Sequence, residues 1–469
     1  MANEVMRQTR VDDARRDLDQ LRNRLTVWLQ ARHMRDPYGQ YRAGLDVLND
    51  TLTGCLEAVR MSVELIDPAW PLGEVYTQCR AADHRLALIG RVFEWYRTRF
   101  DQRDDSQLGP FLAAADEVTW SCYGEVFRTA STHGDGGEVA YGQVPLPFVE
   151  SEYAPRALAR DLPPTELQAD RTDPLLARFL DRLPLAVIGL PFTYLTAPWQ
   201  LVLLGHEVGH HVQNDLVSDG ALTEEFGDVL AGVTPGEAAS ERWRRWGSEV
   251  FADCCLAVSA GPWALRAILE LELADQQTMV ADNRVRYPSA IARLVLLSRV
   301  TAELGLEDRL GLNGLELADL AIPQDGTTAE DIRLAPMMAA EALRHSLGGF
   351  GSFSQLYGFR RDDFRPGGTV HGSADALLAR IPFRMQRSIR APRLLAASAV
   401  QAWNQLDTIS DSAERADRRA ALTDSLLRAV VESREEGTRA AAPAKVPEPR
   451  RLREDLAGLL MERVRDRPS

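Results

Sequence analysis

The segment LVLLGHEVGHHVQNDL, residues 201–216, contains side chains whose types and spacing suit metal chemistry. His206, Glu207 and His210 form the pattern H-E-x-x-H within largely apolar surroundings. In an α-helix, positions i and i+4 lie on one face about one turn apart, so both imidazoles can reach the same ion. Glu207 lies beside them, where a carboxylate can accept a proton from a metal-bound water. The spacing therefore predicts a catalytic zinc (Zn²⁺) site with Glu207 as general base.

A catalytic zinc ion needs a third protein ligand and an open position for water. The pattern that places a third histidine on the same helix has Gln213 and Leu216 at its two diagnostic positions, which excludes that solution. In the later stretch RRWGSEVFADCCLAVSA, Glu249 and Asp253 are i and i+4 on one predicted helical face. We predict that Glu249 is the third ligand, and that Asp253 accepts the Nδ1–H of a ligating histidine, His206.

Other carboxylates between the two segments compete with Glu249 for this role. Asp215 and Asp219 follow the histidines within the same or the next turns of the predicted helix, and their side chains point in unsuitable directions to share an ion with them. The TEEFGD cluster is typical of a solvated linker. Glu249 is preferred because it alone combines an amphipathic apolar context with a second carboxylate one turn later. The competitors are Asp215, Asp219, Glu224, Glu225, Asp228, Glu237 and Glu241.

H-E-x-G-H followed by E-x-x-A-D resembles the gluzincin metallopeptidases, and within them the CAAX-type endopeptidases and their bacterial heat-shock relatives. Their second motif, E-[YF]-x-A-D, is matched at 249–253 with Val250 at the aromatic position. Their later H-P-S/P-x-x-x-R motif is matched by RYPSAIAR, in which Tyr287 replaces the histidine and Arg293 keeps its spacing. The resemblance covers about 200–295 and excludes the membrane helices of those families. It implies a zincin-like core, a zinc cofactor and hydrolysis of peptide bonds.

The sequence also suggests roles for three further residues near these motifs. An oxyanion needs a hydrogen-bond donor besides zinc, and the Tyr287 phenol is the candidate, with simple packing as the alternative. Arg293 is a candidate anchor that joins the site helices through carboxylates. His211 points away from the metal face and is expected to be structural or to line the rim.

The elements that must hold these residues are predicted to be mainly helical. Leucine and tryptophan recur at intervals of three and four through residues 12–100, which predicts an antiparallel helical bundle. Residues 101–150 carry glycine- and proline-rich pieces and predict a loop with one or two strands. The histidine helix should pack into the core through an apolar stripe of Leu201, Leu204, Val208, Val212 and Leu216.

The predicted fold is mainly α (α+β), with a zincin-like core of the HExxH helix and a small sheet between helical regions. Residues 350–364 lie in an aromatic, glycine-rich stretch that is expected to be a surface connection or a substrate-facing flap, and with 142–153 they are candidates for lining the cleft. The predicted regions are an N-terminal helical bundle at 1–105, a catalytic domain at 106–300, a C-terminal helical region at 301–440, and a linker with a terminal helix at 441–469.

Composition limits the classes of function. The chain has 469 residues, 45% of them apolar, and a net charge of −14, which disfavours non-specific nucleic-acid binding and a fused DNA-binding domain. The most apolar run, 183–192, is too short to span a bilayer, and no signal peptide is visible. Five cysteines, an odd number without framework spacing, are typical of reduced thiols in a cytoplasmic protein.

Two hypotheses of function follow from these patterns. The first is a soluble zinc-dependent endopeptidase that acts on a protein or peptide substrate, with flanking helical regions that select the substrate or respond to a regulatory protein partner. The alternative is a helical interaction or regulatory module with a structural or degenerate zinc site. Glu207 favours the first, because a purely structural site needs no base.

Overall fold

A computed structural model describes the chain over residues 2–33, 36–133, 144–158, 185–217, 220–281, 285–306, 322–380 and 387–435. Fifteen α-helices and one three-stranded sheet make up this part of the chain, which confirms the mainly α prediction. The zincin-type core and the domain boundaries stay predictions, and the linker and terminal helix at 441–469 lie outside the described residues.

Three long helices, α1 (Ala2–His33), α2 (Arg42–Glu64) and α3 (Leu72–Asp101), form the N-terminal part. Their leucines at helical spacing are buried, because each helix turns one apolar stripe towards the other two. Trp28 of α1 packs edge-on against Phe93 and Phe100 of α3, with ring centroids 5.6 and 5.7 Å apart. The predicted helical bundle is therefore present in this part of the chain.

A fourth helix, α4 (Leu108–His133), corrects the prediction of a loop and strands over residues 101–150. Apolar residues recur along it at helical spacing and are buried. The glycines and prolines that suggested a loop begin only at its C-terminal end, so their signal was extended too far towards the N-terminus. Of the predicted strands, one follows at the end of this region.

The sheet contains β1 (Leu146–Glu150), β2 (Arg156–Leu158) and β3 (Val187–Pro191) in the order β1-β3-β2. β1 runs parallel to the central strand β3, and β2 runs antiparallel to it. The Glu150 side chain crosses β3 above Gly189 and pairs with Arg156 through two 2.7 Å hydrogen bonds. A Cβ at Gly189 would lie 1.8 Å from Glu150 Oε1, so only glycine leaves room for this clamp between the outer strands.

Two packed helices carry the predicted site residues. They are α5 (Leu204–Asp215), which follows a 3₁₀ turn, and α7 (Glu237–Ala260); α6 (Ala221–Val233) connects them. The predicted apolar stripe of the histidine helix is fully buried, as the period of an amphipathic helix requires. Gly209 lets α5 approach α7 closely, since a Cβ there would lie 2.9 Å from Cα of Ala252.

Shorter and longer helices complete the structure and share its core. The buried apolar residues from Val11 to Val430 form one continuous cluster. Within the described residues, no helix has the length and apolarity to cross a membrane. These helices are α8 (Trp263–Glu272), α9 (Gln276–Val280), α10 (Ala290–Glu303), α11 (Gly326–Arg344), α12 (Phe353–Leu356), α13 (Thr369–Leu378), α14 (Ala391–Leu406) and α15 (Ser412–Glu432).

The aromatic stretch at 350–364 does not line the site cleft. Phe353, Tyr357 and Phe364 are buried, and Phe353 packs against Phe251 of α7 with ring centroids 4.9 Å apart. These aromatic side chains therefore belong to the core. Spacing could not reveal this, because an irregular aromatic segment has no periodicity that separates a core-facing from a cleft-facing role.

Candidate metal centre

Three side chains from α5 and α7 converge at one point. His206 and His210 are one helical turn apart on α5, with their rings edge to face and the centroids 4.9 Å apart. Glu249 of α7 faces both, and its Oε2 lies 3.3 Å from Nε2 of His206 and 3.4 Å from Nε2 of His210. One ligand atom from each residue lies within 4.8 Å of the others, so this group could hold a metal ion.

The two spacings from Oε2 of Glu249 to the imidazole nitrogens are those expected around a tetrahedral ion. Zinc bonds to imidazole nitrogen and carboxylate oxygen are about 2.1 Å long, and tetrahedral angles then place ligand atoms about 3.4 Å apart. Oε2 of Glu249 is buried and makes no acceptable hydrogen bond to any described residue, despite its nearness to both imidazoles. A buried anionic oxygen without a hydrogen bond is costly, and a cation at the shared point would remove that cost.

His206 is held from behind by a buried ionic network. Its Nδ1 lies 2.9 Å from Oδ1 of Asp253, the partner proposed from the sequence. Arg293 of α10 binds Asp253 through two hydrogen bonds of 2.9 and 2.7 Å, and it binds Glu272 of α8 at 2.8 Å. Arg293, near the start of α10, therefore joins the end of α8 to α7, the helix that carries Asp253 and Glu249. Sequence reasoning missed Glu272, which has no motif partner nearby.

The charges in this network shift the ionisation of its members in the metal-free chain. Burial lowers the pKa of His206, but the neighbouring carboxylates of Asp253 and Glu249 outweigh it and raise that pKa to about 10. Burial raises the pKa of Asp253, yet Arg293 and His206 hold it below its ordinary value. The pKa of Glu249 is likewise lowered, because both imidazoles outweigh its burial. Without a metal, the site thus retains a proton on His206 between two carboxylates.

His210 has a different partner, which sequence reasoning missed. Its Nδ1 lies 3.2 Å from Oγ of Ser248, and that hydroxyl donates to Oε1 of Gln213 at 2.8 Å. Gln213 is buried one turn after His210, and Ser248 immediately precedes Glu249. Helical spacing could have found Gln213, but placing Ser248 required the packing of α5 on α7.

Glu207 and Tyr287 lie on the wall of a single cleft that has a volume of about 640 Å³. Burial raises the pKa of the Glu207 carboxyl and Glu249 adds to this, while the two imidazoles and a hydrogen bond from the Ala157 backbone oppose it. Tyr287 is half-buried, with its ring 5.2 Å from the Arg293 guanidinium, and burial raises its pKa. The other lining residues include His206, Glu272, Arg293 and the exposed Tyr153, from the segment proposed to line the cleft.

Among the described residues, the other carboxylates that the sequence offered as a third ligand lie outside the group of His206, His210 and Glu249, and several of them bind other side chains. Asp215 accepts a 2.6 Å hydrogen bond from Tyr123, and Glu225 binds His345 at 2.6 Å. Asp228 pairs with an arginine of α7. Asp219 lies outside the described residues. His211 is buried and does not join the three-residue group, and Cys254 and Cys255 are buried thiols on α7.

No protein-family model, no curated protein and no solved structure matches this chain. The class of protein can therefore be argued only from the geometry of the site.

Proposed function

We propose that this protein is a zinc-dependent endopeptidase. The observation that carries the proposal is the convergence of His206, His210 and Glu249, with His206 and the adjacent Glu207 on the wall of a cleft. Two imidazoles and one carboxylate are a donor set that zinc uses in catalytic sites, where a fourth position stays free for water or substrate. A carboxylate adjacent to the ligands and facing the cleft serves the reaction and has no role in a purely structural site.

The side chains divide the chemistry between them. When bound, zinc supplies Lewis acidity and makes water a nucleophile near neutral pH. The Glu207 carboxylate accepts the proton of the attacking water and then donates it to the leaving amine nitrogen. The burial of Glu207 supports this role, because it raises the pKa of the carboxyl group and so makes it a better proton acceptor.

Tyr287, on the wall of the cleft, is the candidate for stabilising charge on the substrate. Its phenol stays protonated because its pKa is raised, so it can donate a hydrogen bond towards the cleft. A donor aimed at the developing oxyanion contributes about 3 kcal/mol in related chemistry. The cleft volume of about 640 Å³ lies within the usual range of ligand-binding sites, about 300–1,000 Å³.

The deciding experiment compares wild type with Glu207→Gln. Both proteins should bind one zinc per chain, because Glu207 is not a ligand, and both should keep the same fold. Cleavage of an unfolded protein substrate should be chelator-sensitive in wild type and fall by about 10²- to 10⁴-fold in the variant. Undiminished cleavage by Glu207→Gln would refute Glu207 as the base. A wild-type protein that binds no zinc, or whose cleavage of the substrate is insensitive to chelators, would refute the proposal that this protein is a zinc enzyme.

A further inference from the structure

The two candidate histidine ligands are held from behind by chemically different groups. His206 faces a carboxylate that is itself fixed by a guanidinium. His210 faces a neutral hydroxyl, that of Ser248, which in turn meets the neutral amide of Gln213. Gln213 is 1% exposed, so solvent does not replace its amide in this contact.

The direction of this second set of hydrogen bonds follows from metal binding. If Nε2 of His210 gives its lone pair to an ion, the ring proton must be on Nδ1. Ser248 Oγ must then accept a hydrogen bond from Nδ1–H, which leaves its own hydroxyl hydrogen to be donated to another acceptor. Oε1 of Gln213, 2.8 Å away, is that acceptor. The opposite amide orientation would present an N–H to Ser248 and compete for the same lone pair.

We propose that Ser248 and Gln213 form a positioning relay that fixes the tautomer and orientation of His210 for metal binding. The inference rests on the proposed metal site. Neither residue touches the ion, so both act through His210. Hydrogen bonds to the far side of a metal-bound imidazole orient the ring and increase its basicity, and their loss weakens metal binding about 10- to 100-fold.

This amide orientation of Gln213 also carries a cost. Nε2 of Gln213 is buried and has no hydrogen-bond partner among the described residues. An unpaired buried donor is unfavourable, so this orientation persists only if Oε1 gains more from Ser248 than Nε2 loses. Glutamate has the same shape and no donor. Gln213→Glu should therefore keep the relay, whereas Gln213→Leu should break it.

The test measures zinc affinity by competition with a chromophoric chelator in the full-length chain. Ser248→Ala should weaken zinc binding about 10- to 100-fold, and Ser248→Thr, which retains a hydroxyl at this half-buried position, should restore most of the loss. Ser259→Ala is the matched control, because Ser259 is a buried serine of the same helix that faces Cys122 and lies outside the group of His206, His210 and Glu249. Its zinc affinity should equal that of wild type.

Three outcomes would overturn the relay, and they differ from failure of the proposed enzyme. If Ser248→Ala binds zinc as tightly as wild type does, Ser248 does not position His210. Equal weakening in Ser248→Thr and Ser248→Ala, or in Ser248→Ala and Ser259→Ala, indicates general damage to α7. In each of these cases the wild-type protein still binds zinc and cleaves its substrate. A wild-type protein that binds no zinc would refute both the relay and the proposed zinc enzyme.

Discussion

The close crossing of α5 and α7 at Gly209 makes a sharp prediction for Gly209→Ala. The new Cβ would lie 2.9 Å from Cα of Ala252, 3.0 Å from Cβ of Cys255 and 3.2 Å from its Sγ. Non-bonded carbon atoms are normally about 3.5–4.0 Å apart. Because the nearest atom belongs to the backbone, no side-chain rotation relieves the clash. The two helices must therefore separate by roughly 0.5–1 Å.

This separation should weaken both the fold and the metal site. Overpacking of a tight core costs about 1–3 kcal/mol, and the better helix propensity of alanine returns at most about 1 kcal/mol. Glu249 is less than one turn before Ala252 on α7, so it moves away from both imidazoles. Ligand distances must stay within about 0.2 Å of their preferred values, and the expected displacement exceeds that limit. We expect zinc affinity to fall at least about tenfold, by analogy with lost ligand support.

Two other glycines provide matched controls. A Cβ at Gly205 of the same helix would meet Leu256 at 3.3 and 3.4 Å, which is tight but partly relieved by a side-chain rotation. Gly232, in the last turn of α6, has nothing within 4 Å. Urea unfolding of the metal-free proteins measures stability, and zinc competition measures zinc affinity. In both assays Gly209→Ala should rank below Gly205→Ala, and both should rank below Gly232→Ala. The free energy of unfolding of Gly232→Ala should exceed that of wild type by about 0.4–1 kcal/mol. If Gly209→Ala matched Gly232→Ala in both assays, the crossing would not be as close as described.

Three further predictions concern the metal centre. Glu249→Ala should lose most of its zinc in elemental analysis after dialysis; zinc content equal to wild type would assign the third ligand to another residue. Zinc binding at pH 7.5 should release at least one proton, because the pKa of metal-free His206 is about 10, and calorimetry in two buffers of different ionisation enthalpy measures this release. Asp253→Asn should destabilise the metal-free protein by about 3–5 kcal/mol, since Arg293 stays buried without its bidentate partner. The lowered pKa of Asp253 means that its contribution is complete above about pH 5 and lost as pH falls through and below its unfolded value of about 3.9, so unfolding curves of wild type and variant should converge in acid.

The residues of the candidate centre could be predicted from the sequence because their relations are local. His206 and His210, and equally Glu249 and Asp253, are spaced by one helical turn, and an apolar stripe shows which face of each helix is buried. Gln213 and Leu216 excluded a third histidine for the same reason. Each of these inferences needs only the geometry of one helix.

The features that sequence reasoning missed depend on contacts between elements. Ser248 meets His210, and Glu272 meets Arg293, only because separate helices pack together. No spacing rule connects such pairs. The helix at 108–133 was missed for a different reason, since turn-forming residues just beyond its end dominated the interpretation of the whole segment.

The balance of buried charge favours a doubly charged ion at this centre. Among the described residues, the ion pairs behind and around the two imidazoles join three carboxylates, those of Glu249, Asp253 and Glu272, and one guanidinium, that of Arg293. With neutral imidazoles, these four groups leave two negative charges uncompensated. Uncompensated buried charge costs several kcal/mol per group, so such an arrangement does not persist for stability alone. The metal-free chain can reduce the excess by protonating an imidazole, as the raised pKa of His206 indicates. A divalent cation removes it entirely, and the zinc-bound protein should then gain about 2.7 kcal/mol of stability at a free zinc concentration one hundred times the dissociation constant.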